Sequence, residues 1–244
     1  MTVSAAAVET IDLNRDGRAL PTTLHVPQCA APWPLVVFAH GWMGHPRKFT
    51  RLFGHWIGAG YAVAAPTFPF TNEASSGRDL DDVAEQLPDF RFVLERLLDD
   101  PRFDSERVAA GGFSLGAVTA VGAVFERSHG AHVDAVIAIS GHLPHFCQCD
   151  FRLCPLLVVH GRLDDAVWYQ EGVGIYGRAL PPKAMLTIEL PGHQHFVEDD
   201  PPTAGDAVVA TVTAAFLGRF LQGSATSAPA VDPALGSLES EGVW

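Results

Sequence analysis

The sequence predicts an α/β fold built on a mostly parallel sheet of about eight strands, with helices on both faces. Three observations predict it: an N-terminal stretch in which apolar and polar residues alternate, a later series of short apolar runs, and amphipathic stretches between those runs. Continuous apolar runs are typical of strands that are covered on both faces by helices. With 244 residues, the chain is long enough for one such domain, which we expect over residues 1–222.

The first two strands are predicted to form a hairpin. Ile11 and Leu13 alternate with polar residues, turn-forming residues follow at 14–17, and an even apolar spacing resumes over residues 20–26. This pattern predicts an antiparallel pair at the leading edge of the sheet, which we expect to be its only antiparallel part.

Six apolar runs follow the hairpin and are predicted strands: residues 35–39, 61–65, 108–110, 136–139, 156–159 and 185–190. Between the first two runs, apolar residues from Phe49 to Ile57 recur at the spacing of one helical face, which predicts a helix packed on the sheet. A longer helix is predicted over residues 80–98, with a kink at Pro88. Further helices are predicted after Ser114, Asp164 and Gly205.

The composition constrains the partners. The formal net charge of −12 at pH 7 disfavours nucleic acid and anionic membranes, because both would be repelled. No apolar run approaches the roughly 20 residues that span a bilayer, and no basic segment leads into an apolar stretch at the N-terminus. We therefore expect no nucleic-acid or membrane partner, and a cytoplasmic location, or a secreted one if a signal peptide has been removed. Residues 223–244 are rich in Ser, Ala, Pro and Gly and are expected to form a flexible tail.

The strongest motif is Gly112-Phe113-Ser114-Leu115-Gly116, which has the pattern Gly-x-Ser-x-Gly. The pattern is short enough to occur by chance, so its setting decides the interpretation. A predicted strand enters it and a predicted helix leaves it, which would place the Ser114 hydroxyl above the edge of the sheet and aim the Leu115 N–H at a developing oxyanion. We predict that Ser114 is a nucleophile. The alternative is an ordinary small-residue turn that packs a helix on a strand.

A serine nucleophile needs a base to accept its proton and a carboxylate to orient that base. Both residue types follow strands further along the chain. The run at 156–159 leads to Asp164 and Asp165, and the run at 185–190 leads to His193 and His195. The carboxyl ends of parallel strands are where sites form in open α/β sheets, so these groups are expected to meet Ser114.

In this order of serine, acid and histidine, the chain resembles the α/β-hydrolase superfamily over about residues 8–221. The resemblance implies an α/β-hydrolase fold and favours Asp164 as the acid, because Gly161-Arg162-Leu163-Asp164 matches the superfamily's Gly-x-x-Asp pattern. Asp165 is the alternative acid, or a solvated residue of the following helix.

The same resemblance implies that His195 is the base. It stands three residues after Gly192 and directly before the bulky Phe196, as the superfamily's histidine commonly does. His193 is the less favoured base, and its other expected role is in loop structure.

The second oxyanion donor is expected in the loop that follows the strand at 35–39. In similar enzymes the residue after His-Gly supplies its backbone N–H, which corresponds to Trp42 here, beside Leu115 of the motif. Gly41 and Gly44 would let the backbone approach the substrate closely. The Trp42 side chain is expected either to wall the acyl pocket or simply to pack, and His40 to support the loop from beneath.

Superfamily members often carry a cap after the strand that corresponds to 136–139. Here only residues 141–155 separate it from the next strand, too few for a helical cap. We therefore expect no large cap and an open cleft. Its expected substrate-binding residues are Trp42, Met43, His142, Leu143, Phe146 and Trp168.

Cys147, Cys149 and Cys154 lie close to His142 and His145, which raises the question of a metal site. The spacing lacks the second pair of ligands of a familiar zinc pattern, so we expect no metal and thiols that are reduced or opportunistically paired.

Within the superfamily, the chain resembles the group of dienelactone-hydrolase-like enzymes, cutinase-like polyester hydrolases and platelet-activating-factor-acetylhydrolase-like esterases. It has Ser114 where dienelactone hydrolases proper use cysteine, and we find no C-terminal disulfide of the kind typical of secreted bacterial polyester hydrolases. The resemblance implies a serine carboxylic ester hydrolase that forms an acyl-enzyme, needs no cofactor and acts on a small-molecule or polymeric ester. The alternatives are a polyester hydrolase, a peptidase or acyltransferase with the same triad, and a non-catalytic binding protein.

Overall fold

The computed structural model describes residues 7–193 and 201–244, and the strands in these ranges form one nine-stranded sheet. In chain order they are β1 (Ala7–Arg15), β2 (Arg18–Val26), β3 (Trp33–Ala39), β4 (Ala62–Pro66), β5 (Phe103–Phe113), β6 (Ala135–Ile139), β7 (Leu156–Leu163), β8 (Lys183–Pro191) and β9 (Gly236–Glu241). Their order across the sheet is β1-β2-β4-β3-β5-β6-β7-β8-β9. Strands β3 to β8 are mutually parallel, as predicted.

Helices cover both faces of the sheet. They are α1 (Thr50–Gly58), α2 (Val83–Leu98), α3 (Leu115–Phe125), α4 (Tyr169–Arg178) and α5 (Ala204–Leu221). Apolar residues of α2, α3 and α4 belong to one core, and those of α1 and α5 to the other. Along β3, Leu35 and Val37 enter the first core while Val36 and Phe38 enter the second. Because alternate residues of a strand face opposite sides, a strand covered twice is apolar throughout.

The predicted N-terminal hairpin is confirmed. β1 and β2 pair in antiparallel register from Ala7 opposite Val26 to Arg15 opposite Arg18. The chain reverses at Asp16 and Gly17, which have φ values of 52° and 90°. Such left-handed conformations are those of a tight hairpin turn, in which the right-handed twist of the two strands is preserved.

The structure differs from the prediction at the C-terminus. Within the segment predicted as a flexible tail, β9 pairs in antiparallel register with β8, so the sheet is antiparallel at both edges. Val243, just beyond it, is fully buried. The strand satisfies backbone groups of β8 that would otherwise form an open sheet edge. A short strand of mostly small and polar residues carries little apolar periodicity, which is why the sequence did not indicate it.

One described helix, α5, has the length and apolar character of a membrane span, with a mean hydropathy of 1.4 over 18 residues. Half of this stretch is buried inside the protein, and Val209, Val212 and Phe216 lie in the core beneath the sheet. Its N-terminus has a capping box, in which Thr203 and Asp206 bond each other's backbone N–H. The hydropathy of α5 therefore agrees with its place as a core helix.

Candidate active site

Ser114 lies at a sharp turn between β5 and α3. Its φ and ψ are 54° and −120°, a backbone conformation that non-glycine residues rarely adopt. The turn is held by a 2.8 Å hydrogen bond from Ser114 N to the carbonyl oxygen of Ile139 on β6. It also requires glycine, because a Cβ on Gly112 would collide with the carbonyl oxygen of Gly116. The predicted strand, turn and helix are thus present around a half-buried serine.

The loop after β3 lies directly against this turn. A Cβ built on Gly41 would lie 3.2 Å from Ser114 Cβ, and one on Gly116 would collide with the carbonyl oxygen of Ala39. In this loop the Met43 N–H donates to the Thr71 carbonyl oxygen at 2.7 Å. For the N–H groups of Trp42 and Leu115, no described residue supplies a backbone acceptor. The contacts of Gly41 and Gly116 show that the segments carrying these two predicted oxyanion donors lie side by side.

His40 lies beneath the same loop and is almost fully buried. Its Nδ1 donates to the Gly41 carbonyl oxygen at 2.8 Å, and its Nε2 accepts from Phe68 N at 3.2 Å. Burial lowers the pKa of His40 to about 4, so the ring is neutral at pH 7. These contacts agree with the supporting role expected for it.

Asp164 follows β7 and is buried, whereas Asp165 is exposed. Oδ1 of Asp164 accepts hydrogen bonds from the N–H groups of Ala166 and Val167 at 2.9 Å and 2.8 Å. Burial alone would raise the pKa of Asp164, but the hydrogen bonds from His193 and from these two N–H groups outweigh it, so its pKa lies below the ordinary value. Of the two candidate acids, Asp164 is the one held as a buried carboxylate.

The histidine that contacts this carboxylate is His193. Its Nδ1 lies 2.7 Å from Asp164 Oδ2, and its ring centroid lies 4.8 Å from that of Phe113, the neighbour of Ser114. β7 and β8 pair at Leu163 and Pro191, and the chain then turns at Gly192, which has a φ of 106°. Together these features bring His193 to Asp164. His195, the base that the sequence predicts, lies outside the described residues.

The sequence analysis missed the contribution of His160. This residue of β7 is fully buried, its Nε2 donates to the Val167 carbonyl oxygen at 2.9 Å, and the same atom lies 3.6 Å from Asp164 Oδ2. Burial lowers the pKa of His160, which favours the neutral ring. A histidine within an apolar run, four residues before the candidate acid, was the signal that could have identified it.

A cleft of about 310 Å³ lies along the loop after β3. Its lining residues are Gly41, Trp42, Met43, Gly44, Lys48, Phe49 and Phe113. Trp42 and Met43, two of the expected substrate-binding residues, are exposed there. The other four expected residues, His142, Leu143, Phe146 and Trp168, are not among the described residues that line this cleft.

Within the described ranges, no group of three or more His, Cys, Asp or Glu side chains, in the cysteine segment or elsewhere, is arranged so that it could hold a metal ion. Cys147 Sγ lies 3.9 Å from Cys149 Sγ, and Cys154 is buried. Burial raises the pKa of Cys149 and of Cys154 to about 12, which keeps both thiols protonated at pH 7.

Comparison with known proteins identifies relatives of the fold and the family of the chain. The chain's fold is similar to that of the ferulic acid esterase from Streptomyces cinnamoneus, with a TM-score of 0.75 and 21% identity over 93% of this chain and 92% of that one. This likeness confirms the predicted fold. No curated protein sequence matches the chain. The family model described as chlorophyllase matches residues 1–141, more than half of the chain. The chain therefore belongs to the chlorophyllase family, a family of esterase-like α/β-hydrolases.

Proposed function

We propose that this protein is a serine carboxylic ester hydrolase in which Ser114, His193 and Asp164 act as a triad. The observation that carries the proposal is the 2.7 Å contact between His193 Nδ1 and the buried Asp164 carboxylate. It is supported by the ring contact of His193 with Phe113, the residue before the strained Ser114. A histidine beside a serine and a carboxylate is the arrangement that activates a hydroxyl for attack.

The chemistry follows from the tautomer that this contact favours. When Nδ1 donates its proton to Asp164, the lone pair of His193 Nε2 is left to accept the proton of the Ser114 hydroxyl. The serine Oγ attacks the ester carbonyl, and the N–H groups of Trp42 and Leu115 stabilise the negative oxygen. The imidazolium then protonates the departing alcohol, and water repeats the sequence to release the acid. These steps need no metal or organic cofactor.

His195 remains the base that the sequence pattern favours, and the two assignments of the base predict different effects of mutation. We favour His193 because its contact with Asp164 is described. Loss of either ring by substitution with alanine decides between them, since only the base is required for the serine to lose its proton.

The cleft supports an ester with an apolar part. Phe49 and Phe113 form its wall, and the exposed Trp42 and Met43 form its rim. Its volume is at the small end of ligand pockets, which span about 300–1,000 Å³, so a large substrate would extend beyond it. We propose a substrate whose carbonyl is held at Ser114 while a bulky apolar group lies on this rim.

Two molecules named by the comparisons belong in a substrate panel: chlorophyll, from the family name, and esters of ferulic acid, from the structural neighbour. A polyester film and p-nitrophenyl esters of increasing chain length complete it. Turnover of the small apolar esters alone would favour a small-molecule esterase, whereas release of monomers from the film would favour the polymer alternative.

The proposed function is tested by comparing the activity of the wild type with that of Ser114→Ala. We expect the variant to lose turnover of p-nitrophenyl esters and labelling by a fluorophosphonate, with its melting temperature unchanged. Undiminished turnover would refute the assignment of Ser114. A matched amide substrate and an added alcohol acceptor separate ester hydrolysis from the peptidase and acyltransferase alternatives.

A further inference from the structure

A buried polar chain crosses the contact between α2 and α3. Gln86, near the start of α2, donates from Nε2 to Thr71 Oγ1 at 2.6 Å, and its Oε1 lies 3.0 Å from the Thr119 hydroxyl of α3. All three residues are fully buried. The neighbouring positions on this side of α2, such as Leu87 and Phe90, are apolar core residues.

One end of this chain leads to the loop that carries Trp42. The backbone carbonyl of Thr71 accepts the 2.7 Å hydrogen bond from Met43 N, the residue after Trp42. Met43 has a φ of 54°, which L-residues adopt at a cost, so outside contacts must hold it there. Next to it, Glu73 N donates to the Gly44 carbonyl oxygen at 3.1 Å. The segment that includes Thr71 thus supports the strained loop from behind.

The other end leads to the first turn of α3. The Thr119 hydroxyl lies 3.1 Å from the Leu115 carbonyl oxygen and 3.0 Å from Gln86 Oε1, and can give its one proton to either. Leu115 is the residue that supplies the other proposed oxyanion donor. A single side-chain amide therefore connects the two segments on which the oxyanion donors lie.

We infer that Gln86 is a positioning residue that sets the distance between the N–H groups of Trp42 and Leu115. The inference rests on the proposed function. An apolar residue of the same size would fill the space between α2 and α3 without a buried amide that needs partners at both ends. The amide adds a donor directed to Thr71 and an acceptor directed to Thr119, which fixes both segments at once. Displacement of an oxyanion donor costs rate in the chemical step rather than substrate affinity.

The test compares Gln86→Met, which keeps the volume and removes both hydrogen bonds, with the wild type. We expect kcat for a p-nitrophenyl ester to fall about 10- to 100-fold with KM nearly unchanged, and fluorophosphonate labelling to slow by a similar factor. The matched control is Thr213→Val, which removes a buried hydroxyl that accepts from Trp56 Nε1 at 2.9 Å on the opposite face of the sheet. We expect this control to lower the melting temperature and leave kcat unchanged.

A second variant keeps the test informative if Gln86→Met does not fold. Thr71→Val removes the acceptor of the Gln86 amide and keeps the backbone carbonyl that holds Met43, and Thr71→Ser restores the acceptor. We expect kcat to fall in the first and to recover in the second. Wild-type kcat in both Gln86→Met and Thr71→Val, with Ser114→Ala inactive, would overturn the inference alone. Full activity of Ser114→Ala would overturn the proposed function and this inference with it.

Discussion

The nucleophile turn (residues 112–116) and the histidine segment (residues 192–193) lie at the ends of two strands of the same sheet, but different contacts hold them. In the turn, Gly112 and Gly116 face backbone atoms so closely that a Cβ would collide at either position. In the histidine segment, a Cβ on Gly192 would meet no described atom within 4 Å, and the described contact with the acid is one hydrogen bond from His193. Among the described residues, the serine turn is thus held by close backbone packing and the hydrogen bond to Ile139, whereas His193 is held by the register of β8, its hydrogen bond to Asp164 and its ring contact with Phe113.

The largest expected change in kcat comes from replacing each of the two histidines, His193 and His195, with alanine. We expect His193→Ala to lower kcat about 10⁵-fold or more, because loss of the base costs as much as loss of the nucleophile. His195→Ala should have a much smaller effect. Steady-state turnover of p-nitrophenyl esters by both variants, with circular dichroism to verify folding, measures this. The reverse order of effects would assign the base to His195, as the sequence pattern predicts.

The two acids provide the next test. Asp164→Asn should lower kcat about 10⁴-fold, because the amide oxygen would keep the hydrogen bonds from the Ala166 and Val167 N–H groups and the NH2 group would face His193 Nδ1, which favours the wrong tautomer of the histidine. Asp165→Asn is the matched control, since this neighbouring carboxylate is exposed, and its kcat should stay within about twofold of the wild type. Similar losses in both variants would contradict the choice of Asp164.

Alanine substitutions at Gly116 and Gly192 test directly how tightly the nucleophile turn and the histidine segment are packed. Gly116→Ala should reduce the free energy of unfolding by about 4 kcal/mol or more, since its Cβ would collide with backbone carbonyls of the loop after β3. Gly192→Ala has no such collision with a described residue and forces a residue with a side chain into positive φ, at about 1–2 kcal/mol. Urea unfolding of both variants measures the two values. Equal losses would show that the two segments are equally constrained.

The smallest expected effect concerns pH. Because the pKa of folded Asp164 lies below its ordinary value of 3.8, its ionised form contributes stability above that value, and this contribution is lost as the pH falls through the folded pKa. The difference in unfolding free energy between wild type and Asp164→Asn should therefore shrink as the pH falls below the ordinary value of 3.8. Urea titrations at several pH values test it, with Asp165→Asn as the control. A constant difference would mean that Asp164 does not titrate in this way.

The polar chain through Gln86 shows a third kind of support. It connects residues 71, 86 and 119, which lie on three separate elements, and no local pattern marks them as partners. Sequence analysis assigned the region around Gln86 to an amphipathic helix, which the structure confirms as α2. What the glutamine contacts depends on how that helix lies across α3 and the loop after β4.

By itself, the sequence determined the α/β class, the N-terminal hairpin and the strand-turn-helix setting of Ser114, because local patterns of apolar, turn-forming and glycine residues indicate each of them. The clash that requires glycine at position 112 involves an atom only four residues away. Tertiary structure alone decided that β9 covers the edge of β8 and that His193 contacts Asp164. These contacts join residues far apart in the chain, so they follow from strand register and packing rather than from any local pattern.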